Sequence, residues 1–247
     1  MKVYKFGGAS VKNADGVRNL AHIVEGEENL FIIVSAMGKT TNALERVFSH
    51  MQNQRKQEAN DEIKQIQAYH AEIIDDLWGE KTEINEVTLL FGQLRNIIND
   101  ITYRHSDAEL WYDTIVAFGE LISTTIISKY LNHIGTRNRW IDMRTTFITS
   151  QRHKDANVDI KASKHRLRAS IENTGVGVFV GQGFIGGAPD GTTTTLGREG
   201  SDYSAAVVAN IMQAESMSVW KDVDGVLNAD PKLFKDAVKI DSLNYLD

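Results

Sequence analysis

The chain begins with a short apolar strand that runs directly into two glycines and a hydroxyl residue, within Met1–Ser10. Glycines in such a turn let backbone N–H groups approach an anion, and the positive end of a following helix faces the same point. Apolar residues at helical spacing over Val17–Val24 predict that helix, and Asn13 or Asp15 can cap its start. With Lys5 near the end of the strand, the segment suits a phosphate. A plain βα turn with a solvated lysine explains it equally well.

The second strand predicted from the sequence indicates the class of fold. Residues Asn29–Ala36 are apolar along nearly their whole length, as strands buried on both faces of a parallel sheet are. A second polar turn that contains glycine, Ser35–Asn42, follows it. Further strands are predicted at 138–143, 175–180 and 216–220, and a short hairpin within 181–200. Alternating strands and helices favour an α/β fold with a mainly parallel sheet covered on both faces.

The helices are predicted from apolar stripes at a period of about 3.6 residues. Residues 43–105 are expected to be helical, which we interpret as a helical excursion from the sheet at about 43–112. A denser helix is predicted at 114–131, and another at 201–214 with Ser201 as its N-cap.

Composition excludes several classes of function. The chain has 247 residues, of which 42% are hydrophobic, so it can form one large α/β domain or two small ones. Lys and Arg number 27 against 33 Asp and Glu, which disfavours a nucleic-acid partner. The absence of cysteine excludes disulfides and thiol nucleophiles. No apolar run approaches the ~20 residues of a membrane span, and no signal peptide is evident. We therefore expect a cytoplasmic protein without a membrane partner.

Three apparent motifs lack the context that they need. Gly38–Thr40 resembles the end of a P-loop without its first glycine. Gly181–Gly186 matches the dinucleotide fingerprint, but the residues after it break a helix. Asp222, Asp224 and Asp230 resemble a calcium loop that no glutamate closes.

Three further segments carry candidate chemistry. Arg198 precedes a predicted helix, and its planar fork suits a carboxylate or a phosphate. Asp202 is either a charged cap of that helix or a partner that orients a lysine. Glu120 lies on a helix that is apolar almost all round, so it needs either a salt bridge or a substrate ammonium group. The acidic turn Trp220–Pro231 follows a strand and could bind a sugar or a base.

Taken together, these segments resemble the aspartate kinases of the amino acid kinase family. The matching motifs occur in the family's order at Lys5–Ser10, Val34–Asn42, Gly119–Ser123, Gln182–Gly186, Thr193–Asp202 and Trp220–Gly225. Any one of them is weak, but the ordered set is specific and spans nearly the whole chain.

The resemblance implies a three-layer αβα sandwich with an open, mainly parallel central sheet. It implies transfer of the ATP γ-phosphoryl group to the side-chain carboxylate of L-aspartate, the first step toward lysine, threonine and methionine. Mg²⁺ is expected to arrive mainly on the nucleotide, with no metal ligand assigned to the protein. Residues 1–247 would be a catalytic domain that lacks its C-terminal end, with regulatory ACT domains outside this chain. A homo-oligomer is expected for the full-length protein.

The resemblance also implies the roles of individual residues. Lys5 would contact the transferring phosphoryl group, and Asp202 would hold that lysine. Substrate binding is assigned to Ser35, Thr41, Glu120, Arg198 and Ser201. Nucleotide binding is assigned to Gly7, Gly8, Ala9, Ser10, Lys221, Asp222, Leu227, Asp230 and Lys232.

Several positions depart from the family's pattern. Glu199 stands where the family has glycine and places a negative charge beside the substrate site. The other departures are Lys39, Lys221, Leu227 and Lys232. Two alternatives stay open. One is another kinase of the family, acting on acetylglutamate, glutamate, carbamate or a nucleotide. The other is a non-catalytic regulatory subunit that binds amino acids.

Overall fold

A parallel sheet forms the centre of the computed structural model, which describes residues 1–79, 81–100, 104–221, 223 and 225–244. The strands in these ranges are β1 (Lys2–Phe6), β2 (Leu30–Val34), β3 (Asn138–Ile141), β4 (Val178–Gln182), β5 (Ile185–Gly187), β6 (Thr193–Thr195) and β7 (Ser216–Trp220). The main sheet has the order β3-β4-β2-β1-β7, and each neighbouring pair in it is parallel. Strands β5 and β6 form a separate antiparallel hairpin.

The helices occupy the connections between these strands. Those in the described ranges are α1 (Ala14–Ile23), α2 (Thr40–Gln52), α3 (Lys56–Trp78), α4 (Asn85–Asp100), α5 (Ala108–Val116), α6 (Phe118–His133), α7 (Met143–Thr146), α8 (Ile160–Ile171) and α9 (Gly200–Met212). Short 3-10 turns precede α1 and α5, at Gly8–Val11 and His105–Asp107.

The alternation of side chains along β2 divides the core into two layers. Leu30, Ile32 and Val34 pack with residues of α1 to α6 on one face of the sheet. Phe31 and Ile33 pack on the other face, against residues of α8 and α9. All five residues of the strand are buried, as the apolar run predicts. The predicted three-layer αβα architecture is therefore confirmed.

Several predicted elements are found where the sequence placed them. The last predicted strand coincides with β7, and Asn13 caps α1 by accepting a hydrogen bond from the Gly16 N–H at 3.0 Å. The helical excursion contains α2 to α5, but the predicted stretch 43–105 is not continuous: it is interrupted at 53–55 and at 79 and 81–84, and residues 80 and 101–103 lie outside the described residues. The helix predicted at 114–131 is two helices, α5 and α6, which meet at Ala117.

Other elements differ from the predictions. The strand predicted at 175–180 is displaced to Val178–Gln182, and no prediction covered α7 and α8. Ser201 is not the N-cap of α9, because the helix already begins at Gly200. Glu199 occupies the cap position in a left-handed conformation, with φ of 55°, and its side chain makes no capping hydrogen bond.

One segment is long and apolar enough to cross a membrane by length and composition, His105–His133. The sequence expectation missed it because polar residues such as Thr124 and Ser128 interrupt the apolar run. In the fold, 78% of its most apolar window is buried. Its side chains, Ile122 and Leu131 among them, belong to the core beneath the sheet, as in a central helix of a globular domain.

Candidate active site

The candidate site is a cavity of about 260 Å³ in which the ends of several elements meet. Because β1, β2 and β4 are parallel, their carboxyl ends reach the same edge of the sheet, where α/β folds bind ligands. The predicted site residues that line this cavity are Lys5, Ser35, Thr41, Glu120, Ser201 and Asp202. The sequence therefore identified six residues that the fold brings together from β1, the turn after β2, α2, α6 and α9.

The Lys5 side chain supplies the positive charge of the cavity. It projects from β1, is only 7% exposed, and places Nζ 2.7 Å from Oδ1 of Asp202 on α9. Lys221 lies farther away, with Nζ 3.9 Å from Oδ2 of Asp202. Partial burial alone would raise the pKa of the Asp202 carboxyl, but the neighbouring Lys5 ammonium outweighs it and lowers that pKa. Asp202 is thus an ionised carboxylate that fixes the ammonium group.

Glu120 is a buried carboxyl group with unused acceptor capacity. It lies on α6, is 3% exposed, and accepts a hydrogen bond through Oε1 from the Ala36 N–H at 3.1 Å. Its Oε2 has no hydrogen-bond partner in the described ranges. Burial raises the pKa of Glu120 to about 8, against the opposing effect of the Ala36 N–H. A cation entering the cavity would therefore find a carboxyl group that ionises to receive it.

Three hydroxyl groups complete the polar lining. Ser35 directly follows β2, and its carbonyl oxygen accepts a hydrogen bond from Ser123 Oγ at 2.8 Å. Thr41 and Ser201 lie in the first turns of α2 and α9. Because helix N-termini carry partial positive charge and free N–H groups, these two turns favour a negatively charged ligand.

The side chain of Arg198 is not among those that line the cavity. It is exposed and makes no ion pair or hydrogen bond within the described residues. Gly197 and Glu199 on either side of it do line the cavity, so the backbone brings Arg198 to the site. The predicted convergence of the Lys5 ammonium and the Arg198 guanidinium on one pocket is not seen, because Lys5 lines the cavity and the Arg198 side chain does not.

The opening glycine turn packs directly against the turn that follows β2. A Cβ atom added to Gly8 would lie 2.5 Å from the Ala36 carbonyl oxygen, so only glycine allows this approach. The Gly7 N–H donates to the Trp220 carbonyl at 3.5 Å, and the Ser10 N–H donates to the Gly7 carbonyl at 3.0 Å. These contacts engage two of the four amides predicted to cradle a phosphate, those of Gly7 and Ser10. The amides of Gly8 and Ala9 start the 3-10 turn.

The residues predicted to hold the nucleotide base and sugar follow β7, outside the cavity. Lys221 is exposed, and Leu227 pairs with Lys239 in an isolated bridge. Asp230 accepts a hydrogen bond through Oδ1 from the Lys232 N–H at 2.9 Å, which stabilises a local turn. The role of these residues stays a prediction. Asp222 lies outside the described residues.

The structure adds residues that the sequence did not assign to the site. Phe184 lines the cavity and has a positive φ of 68°, and its carbonyl oxygen accepts from the Leu196 N–H at 2.8 Å. The signal for it was an aromatic residue directly after Gly183 at a strand end, inside a matched motif. Glu199, noted only as a departure, also lines the cavity.

A larger cavity of about 560 Å³ lies beside α3, and the Lys5–Asp202 ion pair does not line it. Its lining contains Lys12, Gly38 and Tyr69, whereas Lys5, Glu120 and Asp202 all line the smaller one. The described residues also include no group of three or more His, Cys, Asp or Glu side chains placed to hold a metal ion.

Comparison with known proteins gives a consistent result. The profile of the amino acid kinase family matches residues 1–247. The chain is 28% identical over 249 residues to the bifunctional aspartokinase/homoserine dehydrogenase 1 of Zea mays, covering 98% of this chain and 27% of that protein. It is 29% identical over 252 residues to lysine-sensitive aspartokinase 3 of Escherichia coli, covering 99% of this chain and 54% of that protein.

The fold also matches a crystal structure of E. coli aspartokinase III in complex with aspartate and ADP. The TM-score is 0.85 at 28% identity, and the match covers 98% of this chain and 53% of that one. The chain thus spans between about a quarter and about half of the length of these relatives. Since the family profile extends over the entire sequence, the chain belongs to the amino acid kinase family.

Proposed function

We propose that this chain carries the catalytic site of an aspartate kinase, which transfers the γ-phosphoryl group of ATP to the side-chain carboxylate of L-aspartate. The observation that carries the proposal is the cavity shared by Lys5, Asp202 and Glu120. It combines a fixed ammonium group for a phosphoryl group with a buried carboxyl group for an amine. The aspartokinases named above support the choice of substrate.

The substrate has three charged groups, and the site offers a charged partner for the two that do not react, the ammonium group and the α-carboxylate. Glu120, with its unpartnered Oε2, would receive the ammonium group of aspartate. Arg198 would turn toward the cavity and clamp the α-carboxylate. Ser35, Thr41 and Ser201 would add hydrogen bonds. An acetylated substrate has no ammonium group, so Glu120 favours aspartate over acetylglutamate.

The chemistry requires alignment more than proton transfer. The side-chain carboxylate of aspartate is already ionised at neutral pH, so no general base is needed. One of its oxygens attacks the γ-phosphorus, and the bond between that phosphorus and the bridging oxygen breaks, leaving ADP with the electron pair. Lys5 would neutralise charge on the transferring group, and Asp202 would keep its ammonium in place.

The residues around the opening turn fit a polyphosphate. The Gly8 and Ala9 amides and the Lys5 ammonium form a donor set suited to an anion, held by the packing of Gly8 on Ala36. Gly7 and Ser10 are proposed as additional contacts. The proposed contacts to the remainder of the nucleotide are Lys221, Asp222, Leu227, Asp230 and Lys232. Mg²⁺ would offset phosphate charge, with most of its ligands from the nucleotide.

The biological setting follows from the same proposal. The product would be 4-phospho-L-aspartate. Its formation in the cytoplasm would be the first step toward lysine, threonine and methionine. The chain would act as the catalytic domain of a longer homo-oligomeric protein that carries regulatory ACT domains.

The proposal is tested by trapping the acyl phosphate. Purified protein is incubated with ATP, Mg²⁺, L-aspartate and hydroxylamine, and the hydroxamate is measured by its coloured iron complex. We expect product with aspartate and none with acetylglutamate, glutamate or carbamate. A folded protein that binds ATP but forms no hydroxamate from aspartate would reject the proposal. Calorimetry that detects aspartate binding without ATP binding would instead favour a regulatory subunit.

A further inference from the structure

Asp113 is a fully buried carboxylate that the proposed mechanism does not use. It lies on α5 with 0% exposure and accepts four hydrogen bonds from outside that helix. Through Oδ1 it accepts from Thr195 Oγ1 at 2.6 Å and from the Lys154 N–H at 3.1 Å. Through Oδ2 it accepts from the same N–H at 3.0 Å and lies 2.8 Å from His153 Nδ1. Burying a charge is costly unless it is paired, so such a group indicates a specific role.

The bonds of Asp113 tie together two segments that are distant in sequence. Thr195 is the last residue of β6 and leads into the loop of Gly197 and Arg198. Lys154 belongs to the loop before α8 and has a positive φ of 66°. These segments also bond to each other, because the Ala156 N–H donates to the Thr195 carbonyl at 2.9 Å. Asp113 therefore holds both from one side.

These two segments enclose Gly197. Its φ is +74°, and an added Cβ atom would lie 2.9 Å from Asp155 Oδ1 and 3.3 Å from the Lys154 carbonyl oxygen. Gly197 thus packs against the 153–154 loop and follows β6 by two residues, and Asp113 bonds both of these segments. The position of Gly197 is therefore constrained both by its packing on the loop and by its covalent connection to the strand. Arg198 comes next, and its exposed side chain has no partner of its own in the described part of the chain.

We infer that Asp113 is a positioning residue for substrate binding: by bonding Thr195 and the 153–154 loop, it fixes the backbone that presents Arg198 to the carboxylate of the substrate. This inference rests on the proposed function. Arg198 has no side-chain anchor, so the direction of its Cα–Cβ bond depends on the backbone at Gly197. A misplacement of about 1 Å in a substrate-orienting group can cost about a hundredfold in rate.

The test compares two isosteric substitutions on neighbouring residues of β6. Thr195→Val removes a hydroxyl that bonds Asp113, whereas Thr194→Val removes an equally buried hydroxyl that bonds Thr149 Oγ1 at 2.7 Å. We expect Thr195→Val to raise the KM for aspartate about fivefold with little change in the KM for ATP. Thr194→Val should change neither constant by more than about twofold. Both variants lose one buried hydrogen bond, so a purely structural effect would affect them alike.

Asp113→Asn gives a stronger version of the same test. An amide NH₂ cannot accept from the Lys154 N–H, so one arm of that bifurcated bond is lost whichever way the amide points. We expect the KM for aspartate to rise about tenfold or more, since substrate orientation is lost. Calorimetry should show the same weakening of aspartate binding. If Asp113→Asn does not fold, the Thr195 and Thr194 pair still decides the matter.

The outcomes separate this inference from the proposed function. Equal KM values for aspartate in Thr195→Val and Thr194→Val, with an active wild-type protein, would overturn the inference alone. Parallel rises in the KM for aspartate and for ATP would also overturn it, because they would indicate general loosening of the fold. A folded wild-type protein that makes no hydroxamate from aspartate would reject the proposed function, and the inference with it.

Discussion

The Lys5 ammonium lies 2.7 Å from the Asp202 carboxylate, although Lys5 is on β1 and Asp202 is on α9, far apart in sequence. Lys5 is buried, so this pairing fixes a positive charge in the lining of the cavity. Within the proposed function, Lys5 from β1 binds the phosphoryl group, and Asp202 from α9 holds the lysine in position.

Replacing Lys5 should therefore lower turnover strongly without unfolding the protein. We expect Lys5→Met to lower kcat by about a thousandfold, as losses of single charge-stabilising groups do. Lys2→Met is the matched control, because Lys2 is on the same strand but pairs with Glu27 at 3.0 Å. Hydroxamate assays and thermal melts of both variants check this. Near-normal turnover in Lys5→Met would contradict the assignment.

Aspartate binding should release protons near neutral pH. The pKa of Glu120 is about 8 in the free protein, so the group is mostly protonated at pH 7. A substrate ammonium group favours the ionised form and drives off about one proton per aspartate bound. Calorimetry in buffers of different ionisation enthalpy measures that proton. Identical apparent enthalpies in all buffers would contradict the role of Glu120, and Glu120→Gln should abolish the difference.

The same carboxyl group should make stability fall as pH rises. Its folded-state pKa of about 8 lies above the usual 4.5, so its contribution is complete below pH 4.5. That contribution is lost progressively between pH 4.5 and pH 8 and does not change further above that range. Glu120→Gln stays neutral throughout, so urea unfolding should show a flatter decline across this window. A variant with an unchanged slope would contradict the assignment.

Glu199→Gly should stabilise the protein and strengthen the binding of anionic substrates. Glu199 has φ of 55°, a conformation that costs non-glycine residues about 1 kcal/mol. Its removal also takes a negative charge from the lining of the cavity. Gln213→Gly is the control, because Gln213 has a similar φ of 51° at the other end of α9. Both variants should unfold at higher urea, but only Glu199→Gly should lower the KM for aspartate.

His70 should make the protein sensitive to acid. Its imidazole has 0% exposure, and its Nδ1 lies 2.7 Å from the Ile66 carbonyl oxygen. Burial lowers its pKa from 6.5 to about 4, so its contribution to stability is present above pH 6.5 and is lost as pH falls toward 4. His70→Gln should reduce that slope by up to about 1.4 kcal/mol per pH unit. His22→Gln, at an exposed position, should leave the slope unchanged.

Much of the fold was predictable because its signals are local. The uninterrupted apolar run of β2 specifies a strand buried on both faces, and this alone favours a parallel sheet with helices on two sides. The opening turn was also predictable, because two glycines directly follow an apolar strand. The structure shows that Gly8 packs on the turn after β2. Helix α8 escaped prediction because it is mostly polar and buries little beyond Ser163 and Leu167, so its apolar stripe is short.

The features that sequence patterns missed depend on contacts between distant residues. Asp113 gives no local signal, because its partners Thr195 and Lys154 come from other parts of the chain. Ser201 looked like an N-cap from its neighbours alone. The turn that starts α9 closes one residue earlier, where the Gly200 N–H donates to the Gly197 carbonyl at 3.1 Å. Short-range patterns identify candidate residues, and tertiary packing decides their geometry.

The position of β1 inside the sheet has a consequence for the order of assembly during synthesis. Because β1 lies between β2 and β7, it acquires its second neighbour only after β7, which is far from it in sequence, has left the ribosome. Lys5 can meet Asp202 only after α9 has been translated. Such non-local pairing is slow to form, so Lys5 stays without this partner in the nascent chain until α9 and β7 dock.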